Sequence, residues 1–148
     1  MKAFPVRRSA GFTLVELMIA TSISGVLASV AYPSFSGALR KIHRTEAMIA
    51  MLQLQQAQER WRSASSRYGS MAEIGVAEVA PGRNYLLSVT APSPSGYMAS
   101  AVAVGAQAGD RGCRYMKISV ESGNLAYSSG DSESTANNEQ ANRRCWNL

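Results

Sequence analysis

The first third of the chain contains one long hydrophobic segment. From Gly11 to Leu39 the residues are apolar or small, and the one charged side chain is Glu16. Residues 12–32 alone number 21. As an α-helix they would extend about 32 Å, which matches a hydrocarbon core of about 30 Å. The pattern therefore predicts a helix that spans a membrane.

Beyond this segment the apolar positions become periodic, with spacings of three and four. The first row is Phe35, Ala38, Leu39, Ile42, Ile49 and Leu52, and the second is Met48, Met51, Leu54, Ala57 and Trp61. Such spacing is typical of an amphipathic helix. We expect these side chains to pack, and one continuous helix to run from Phe12 to about Ser63.

The rest of the chain has the period of β-strands. Ser70 to Glu73 has the sequence of a capping box, which predicts a short helical turn. Alternation of apolar and polar residues then indicates four strands. These lie at residues 84–91, 96–104, 114–121 and 125–128. One long helix packed on an antiparallel sheet of about four strands is an α+β architecture.

The charge of the chain does not by itself indicate a nucleic-acid partner. The formal net charge is +5, but Lys2, Arg7 and Arg8 supply three of the positive charges. Without residues 1–11, 12 basic side chains stand against 10 acidic ones. The basic residues that follow the apolar segment are Arg40, Lys41 and Arg44. Because both flanks are basic, charge alone does not orient the segment in a membrane.

The chain contains two cysteines, Cys113 and Cys145, and one histidine, His43. These are too few for a zinc site. The sequence has no Ser/His/Asp set and no phosphate-binding glycine loop, so we expect no enzyme activity and no cofactor, and we expect His43 to face solvent. In an exported protein a disulfide is the default, worth on the order of 3.5–4 kcal/mol in the chain-entropy model. Two free buried thiols are the alternative.

An ordinary secretory signal peptide is the alternative interpretation of the N-terminal segment. It would share the basic start and the apolar stretch, and Ser29-Val30-Ala31 fits a cleavage site. However, the apolar run exceeds the usual 7–15 residues of such a signal. A carboxylate in hydrocarbon is also costly and usually has a function. Glu16 therefore favours a segment that is retained.

The stretch Gly11-Phe12-Thr13-Leu14-Val15-Glu16-Leu17, after a short basic leader, resembles the class III signal of type IV pilins and pseudopilins. The resemblance implies that a prepilin peptidase cuts after Gly11 on the cytoplasmic side and N-methylates Phe12. It also implies a division of the chain into four parts. These are a leader at 1–11, a transmembrane and assembly helix at 12–39, its amphipathic second half at 40–63 and a globular head at 64–148.

Two further features of the helix match this family. Glu16 is expected to pair with the Phe12 amine of a neighbouring subunit during assembly, since opposite charges offset each other's desolvation in a low dielectric. Pro33 cannot donate a hydrogen bond to the carbonyl of Ser29, so it should kink or loosen the helix, as a proline at this distance from the cleavage site typically does in pilins.

Residues 129–144 are almost wholly polar and lie between the two cysteines. We predict a disulfide-bounded surface loop with Trp146 available to pack, similar to the C-terminal region of pilins. The loop lacks the Gly-centred EF-hand pattern, so no metal site is predicted. A disulfide would also bring four arginines close together as a candidate DNA contact, namely Arg111, Arg114, Arg143 and Arg144. The favoured alternative is that these arginines are merely solvated.

Taken as a whole, the chain most resembles PilE-type minor pilins. The resemblance rests on Arg44-Thr45-Glu46-Ala47, Gln58-Glu59-Arg60-Trp61 and the closing Cys145-Trp146. It implies a structural subunit that helps to initiate the type IV pilus and supports twitching motility and adhesion. The implied partners are other major and minor pilins, the prepilin peptidase, the inner-membrane assembly platform and the membrane. The implied location is the inner membrane with the head in the periplasm, and then the pilus. A major pilin, a type II secretion pseudopilin and a DNA-binding competence pilin are the alternatives.

Overall fold

A computed structural model of the 148-residue chain describes residues 11–148. The basic leader residues Lys2, Arg7 and Arg8 lie outside the described residues. The chain divides into two compact units, of which the first ends at Ala38 and the second, here called the head unit, is Leu39–Leu148.

One helix, α1, spans Leu14–Ser65 and contributes to both units. The predicted long helix is therefore confirmed, with each end shifted by two residues from the expected Phe12 and Ser63. Pro33 lies inside α1, and the helix continues through it. Loosening of the helix at this proline stays a prediction.

The described part of the first unit, residues 11–38, exposes its apolar side chains. Phe12 is 89% exposed and Val30 is 73% exposed, and the other large apolar residues between them and up to Phe35 are exposed as well. By length and composition α1 is able to cross a membrane. A continuous apolar surface of this kind needs hydrocarbon or other protein surfaces to cover it.

In the head unit α1 packs on a four-stranded antiparallel sheet with the order β1-β2-β3-β4. The strands are β1 Tyr85–Thr90, β2 Gly96–Ala103, β3 Tyr115–Glu121 and β4 Asn124–Gly130. All four predicted strands are confirmed, with ends shifted by two residues or fewer. Ser122 and Gly123 join β3 to β4 with φ values of 50° and 83°. Positive φ at both positions is the turn geometry that matches the twist of a hairpin.

The core of the head unit lies between α1 and the sheet. Its members include Met51, Leu54, Tyr85, Leu87, Ala99, Ala101, Met116 and Ile118. Met51 and Leu54 belong to the second apolar row predicted for α1, which therefore faces the sheet. The first row does not, because Ile42, Ile49 and Leu52 are about half exposed. The head part of α1 thus has two apolar faces, of which the sheet covers one.

Two short helices complete the head unit. The predicted turn after α1 is confirmed as α2, Met71–Ile74. The region between the cysteines was predicted as a loop, but it contains the helix α3, Glu139–Cys145. The side chain of Asn138 caps α3 by accepting a hydrogen bond from Ala141 N at 2.8 Å. Apolar periodicity does not predict α3, because its residues are mostly polar and form no apolar stripe.

Candidate functional site

Glu16 lies in the first turn of α1, and its carboxylate is hydrogen-bonded to Thr13 of the same helix end. Its Oε2 accepts hydrogen bonds from the backbone N and from Oγ1 of Thr13, each at 2.8 Å. Thr13 Oγ1 in turn accepts from Glu16 N at 3.2 Å. This reciprocal pair is a capping box. This capping box was not among the predicted features, although Thr-x-x-Glu is its sequence signature. Glu16 Oε1 makes no hydrogen bond within residues 11–148.

Gly11 and Phe12 precede α1 and have no regular secondary structure. A Cβ built at Gly11 would meet no atom within 4 Å. With respect to residues 11–148, the peptide bond that joins Gly11 to Phe12 is therefore on open, non-helical backbone. Such backbone is accessible to a peptidase in a way that a helical or buried bond is not.

Cys113 and Cys145 form the predicted disulfide, with a Cα–Cα distance of 5.5 Å. The bond joins the 3₁₀ turn Arg111–Cys113 to the end of α3. Trp146 packs as expected, with its ring centroid 5.0 Å from that of Tyr127. Its Nε1 donates to Ser128 O at 3.2 Å. The C-terminal segment is thus fastened both to the 3₁₀ turn and to β4.

The four candidate arginines lie on the two segments that the disulfide joins. Arg111 and Arg114 flank Cys113, whereas Arg143 and Arg144 belong to the last turn of α3. Their surroundings differ. Arg143 forms an ion pair with Glu139, and the guanidinium of Arg144 lies against Gly112, where an added Cβ would come within 2.6 Å of Arg144 Cζ. The disulfide therefore brings two pairs of arginines together, but the four guanidinium groups differ in their contacts with neighbouring residues.

A cleft of about 410 Å³ between α1 and α3 extends this basic surface. Its lining residues, which we call the basic cleft, are Lys41, Arg44, Thr45, Met48, Arg143, Arg144, Cys145 and Asn147. No sequence pattern predicts that residues of α1 lie beside the arginines of α3. The two groups are about 100 residues apart in the chain and meet only in the folded head.

Arg44 connects the two walls of the basic cleft. Its Nε lies 2.6 Å from Oδ2 of Asp110, whose side chain is almost fully buried. Its Nη1 donates to the carbonyl oxygen of Arg144 at 2.7 Å. A buried ion pair of this kind is costly to break, since a lone charge would remain without water. Arg44 therefore fixes α3 relative to α1.

A buried amide extends this network beneath the cleft. Gln107 Nε2 lies 3.1 Å from the hydroxyl of Tyr85 and 3.2 Å from Asp110 Oδ2. Burial raises the pKa of the Tyr85 hydroxyl, while its hydrogen bond with Gln107 acts in the opposite direction. His43 Nδ1 lies 3.1 Å from Gln107 Oε1. The expectation that His43 faces solvent was therefore wrong, because the ring is partly buried and bonded to this amide.

Two family models match the chain. Residues 6–32 match the prokaryotic N-terminal methylation motif. Residues 33–117, more than half of the chain, match the family described as "Type IV minor pilin ComP, DNA uptake sequence receptor". The second match includes Arg111 and Arg114 but ends before α3.

Several curated proteins are similar over part of their length. The type IV major pilin protein PilA of Myxococcus xanthus is 41% identical over 71 residues, which cover 47% of this chain and 32% of that protein. The type II secretion system core protein G of Pectobacterium carotovorum is 36% identical over 63 residues, or 43% of this chain and 40% of that protein. The corresponding protein of Klebsiella pneumoniae is 33% identical over 86 residues, or 54% and 61%. The matched regions thus span less than two thirds of each relative.

Proposed function

The chain belongs to the type IV pilin family, and we propose that within this family it is a minor pilin that helps to initiate the pilus. Pilins are structural subunits and not enzymes. The observation that carries the proposal is the match of residues 33–117 to a family of minor pilins. Twitching motility and adhesion would follow from the filament that such a subunit helps to build.

We infer that maturation occurs at the bond between Gly11 and Phe12. The methylation motif at residues 6–32 and the open backbone at Gly11 support this. Cleavage would leave residues 12–39 as a single membrane-spanning anchor in the inner membrane, with the head in the periplasm until the assembly platform moves the subunit into the filament. Methylation of the Phe12 amine keeps it basic, so its positive charge survives.

Assembly would use both the charge at Glu16 and the exposed apolar faces of α1. Thr13 occupies Oε2 of Glu16 and holds the carboxylate at the helix N-terminus. Oε1 remains for the Phe12 amine of a neighbouring pilin, and the pairing would offset the cost of burying both charges. In the head unit the outward row of Ile42, Ile49 and Leu52 is likewise exposed. Helices of neighbouring subunits would cover it.

The first test is the mature N-terminus, measured by mass spectrometry of protein from the membrane fraction. We expect N-methylated phenylalanine at Phe12. A chain that begins after Ala31 would instead identify an ordinary secreted protein and would contradict the filament proposal.

The second test separates processing from assembly. In Glu16→Ala we expect normal cleavage but at least about a tenfold loss of incorporation into sheared filaments, measured by immunoblot against a pilin control. Loss of cleavage would make Glu16 a determinant for the peptidase, and unchanged incorporation would contradict its role in assembly.

Abundance distinguishes a minor pilin from its alternatives. Quantitative mass spectrometry of purified pili should find this chain in a small fraction of the copies of the major subunit. Equal abundance would identify a major pilin, as the similarity to PilA allows. Recovery with a type II secretion filament would identify a pseudopilin, as the similarity to core protein G allows.

A role in DNA uptake is the second candidate. It is favoured by the match to a family described as a DNA uptake sequence receptor and by the position of Arg111 and Arg114 within the matched region. Phosphate contacts require clustered basic side chains and weaken with salt. The full chain in detergent should bind duplex DNA at low salt, and Arg143→Ala with Arg144→Ala should abolish binding. Arg60→Ala with Arg83→Ala is the control of equal charge, and an absence of binding at low salt would remove this function.

A further inference from the structure

We propose that the basic cleft of one subunit binds an acidic loop on the head of a second copy of this chain. The acidic loop is residues 131–135, which include Asp131 and Glu133. The inference rests on the proposed function and deepens it, because it names one neighbour of the subunit and the surface that binds this neighbour. Both the cleft and the loop belong to the head unit.

The basic cleft carries positive charge that the head does not compensate. Four of its eight lining residues are basic and none is acidic. Two of the four are paired within the head, one with Asp110 and one with Glu139. The other two are Lys41 on α1 and Arg144 on α3, whose side chains make no hydrogen bond or ion pair to any described residue. One such cation on each wall favours an anionic group between them.

The cleft is held in shape by the head itself. Nη1 of Arg44, on one wall, donates to the carbonyl oxygen of Arg144 on the other wall at 2.7 Å. Cys145, which also lines the cleft, is tied to Cys113 by the disulfide. A preformed site loses less conformational entropy on binding than a flexible one. We therefore expect the cleft to bind an anionic group without rearrangement.

The acidic loop is closed at its base and exposes both of its carboxylates. Ser129 and Ala136 pair across the base through two backbone hydrogen bonds of 3.1 and 3.0 Å. Lys117 Nζ fastens the loop by donating to the backbone oxygen of Glu133 at 2.6 Å. Asp131 and Glu133 are exposed, and within the described part of the chain neither carboxylate accepts a hydrogen bond or forms an ion pair. The loop thus offers two anionic groups on a fixed support.

The cleft and the loop are two different surfaces of one chain, so the contact between two copies is heterologous. Each copy that binds through its cleft leaves its own loop available to the next copy. Such a contact builds an open helical assembly whenever it does not close into a ring, and this is the symmetry of a filament. Charge complementarity selects the partner and its orientation more than it adds affinity. Even a rare subunit would therefore lie beside another copy of itself.

The first experiment is a crosslink between full-length chains in the membrane fraction. One tagged variant is Thr45→Cys, in the cleft, and the other is Ser132→Cys, between the two carboxylates of the loop. Both native cysteines are held in the disulfide, so a short bismaleimide joins the introduced thiols. We expect a mixed dimer. Ser63→Cys, at an exposed position of the same helix, replaces Thr45→Cys in the control and should give no dimer with Ser132→Cys.

Charge reversal tests whether the ion pairs cause the contact. The cleft is reversed by Lys41→Glu with Arg144→Glu, and the loop is reversed by Asp131→Lys with Glu133→Lys. Either reversal, made in the copy that contributes that surface to the crosslink, should lower the yield of dimer at least about tenfold, because like charges then face each other. Both reversals together, one in each copy, should restore the crosslink.

Several outcomes would overturn the inference. These are a crosslink no stronger than the Ser63→Cys control, an equal loss in Arg60→Glu with Arg83→Glu, which reverses the same charge at exposed positions elsewhere, and no rescue by the double reversal although the disulfide is intact. Protection of the Thr45→Cys thiol by a short DNA duplex, without a crosslink, would assign the cleft to a nucleic acid.

The same cells separate a failure of this contact from a failure of the proposed function. Filaments that contain the chain but show no crosslink would count against the contact alone. A chain that is absent from sheared filaments would contradict the proposed function, and the inference with it.

Discussion

The two units of the chain contain similar apolar residues but cover them differently. In the first unit the large apolar side chains of α1 are exposed, whereas in the head unit Met51 and Leu54 are fully buried against the sheet. The head therefore carries its own core, and its stability is a property of one chain. Within residues 11–38 no side chain is buried, so burial of this apolar surface must come from lipid or from other subunits.

The same contrast recurs within the head part of α1. Leu54 has no exposed surface, while Leu52, two residues earlier, is 55% exposed. Leu54 serves folding because it faces the sheet. Leu52 lies on the outward row that begins at Phe35, so it is available to a neighbouring subunit. The head part of α1 thus serves folding on one side, and we propose that its other side serves assembly.

The largest expected effect on the head comes from removing the disulfide. Cys113→Ser with Cys145→Ser should lower the free energy of unfolding by about 3.5–4 kcal/mol, because the closed loop no longer restricts the unfolded chain. Urea unfolding is followed in micelles by tryptophan fluorescence and circular dichroism. The head should unfold at a lower urea concentration than in the wild type, while the helical circular dichroism signal of the first unit persists. Simultaneous loss of both signals would contradict the separation of the two units.

Leucine pairs on α1 give the sharpest contrast. Leu54→Ala should cost about 2–5 kcal/mol, since it removes fully buried side-chain volume. Leu52→Ala should change the free energy of unfolding by less than about 0.5 kcal/mol, yet it should reduce incorporation into filaments. Urea denaturation and filament shearing measure the two effects. Similar destabilisation by both substitutions would mean that the outward row also serves the fold of the head.

A smaller effect is expected from the buried amide that holds the connection after α1. Gln58 Nε2 donates to Gly69 O at 2.7 Å, and Gly69 N donates to Gln58 Oε1 at 2.9 Å. Gln58→Met keeps the volume but leaves both backbone groups unpaired, at a cost of about 1–3 kcal/mol. Gln56→Met, on the exposed face, is the control and should be neutral. Equal unfolding midpoints for the two variants would show that water replaces the amide.

The smallest effect concerns an exposed carboxylate at α2. The hydrogen bond from Arg67 is the largest cause that lowers the pKa of Glu73 to about 2, followed by hydrogen bonds from Ser70. The folded pKa of Glu73 lies below the ordinary value of 4.5. The contribution of this carboxylate to the free energy of unfolding is therefore present above pH 4.5 and is lost as the pH falls through about 2. An NMR titration should find the Glu73 midpoint near 2, and Arg67→Gln should move it upward. An unchanged midpoint in that variant would exclude Arg67 as the main cause.

Patterns that are local in sequence predicted most of the architecture. The spacing of apolar residues predicted α1 and all four strands, and the Ser70–Glu73 signature predicted α2. Features without an apolar period were not predicted. The helix α3 depends on the Asn138 cap and on the disulfide at its end. The Thr13–Glu16 capping box was also not predicted, although its sequence signature is present.

The site was predictable only where its residues are neighbours in sequence. Gly11, Phe12 and Glu16 form one short motif, so the roles proposed for them could be predicted from local sequence. The basic cleft has no such motif, because Lys41 and Arg44 meet Arg144 only after the head has folded. Which arginines remain uncompensated depends on acidic partners such as Asp110 and Glu139.

By itself the sequence determined that the chain has a membrane-length helix, an α+β head and a pair of cysteines in position to close its end, because hydrophobic period and residue spacing act locally. Only the tertiary structure decided which row of α1 became core and which stayed outward. It also decided that Arg44 joins α1 to α3 through the carbonyl oxygen of Arg144, beside a cationic cleft. Helical period allows either apolar row to face the sheet, and the choice is made by the combined packing of strands distant in sequence.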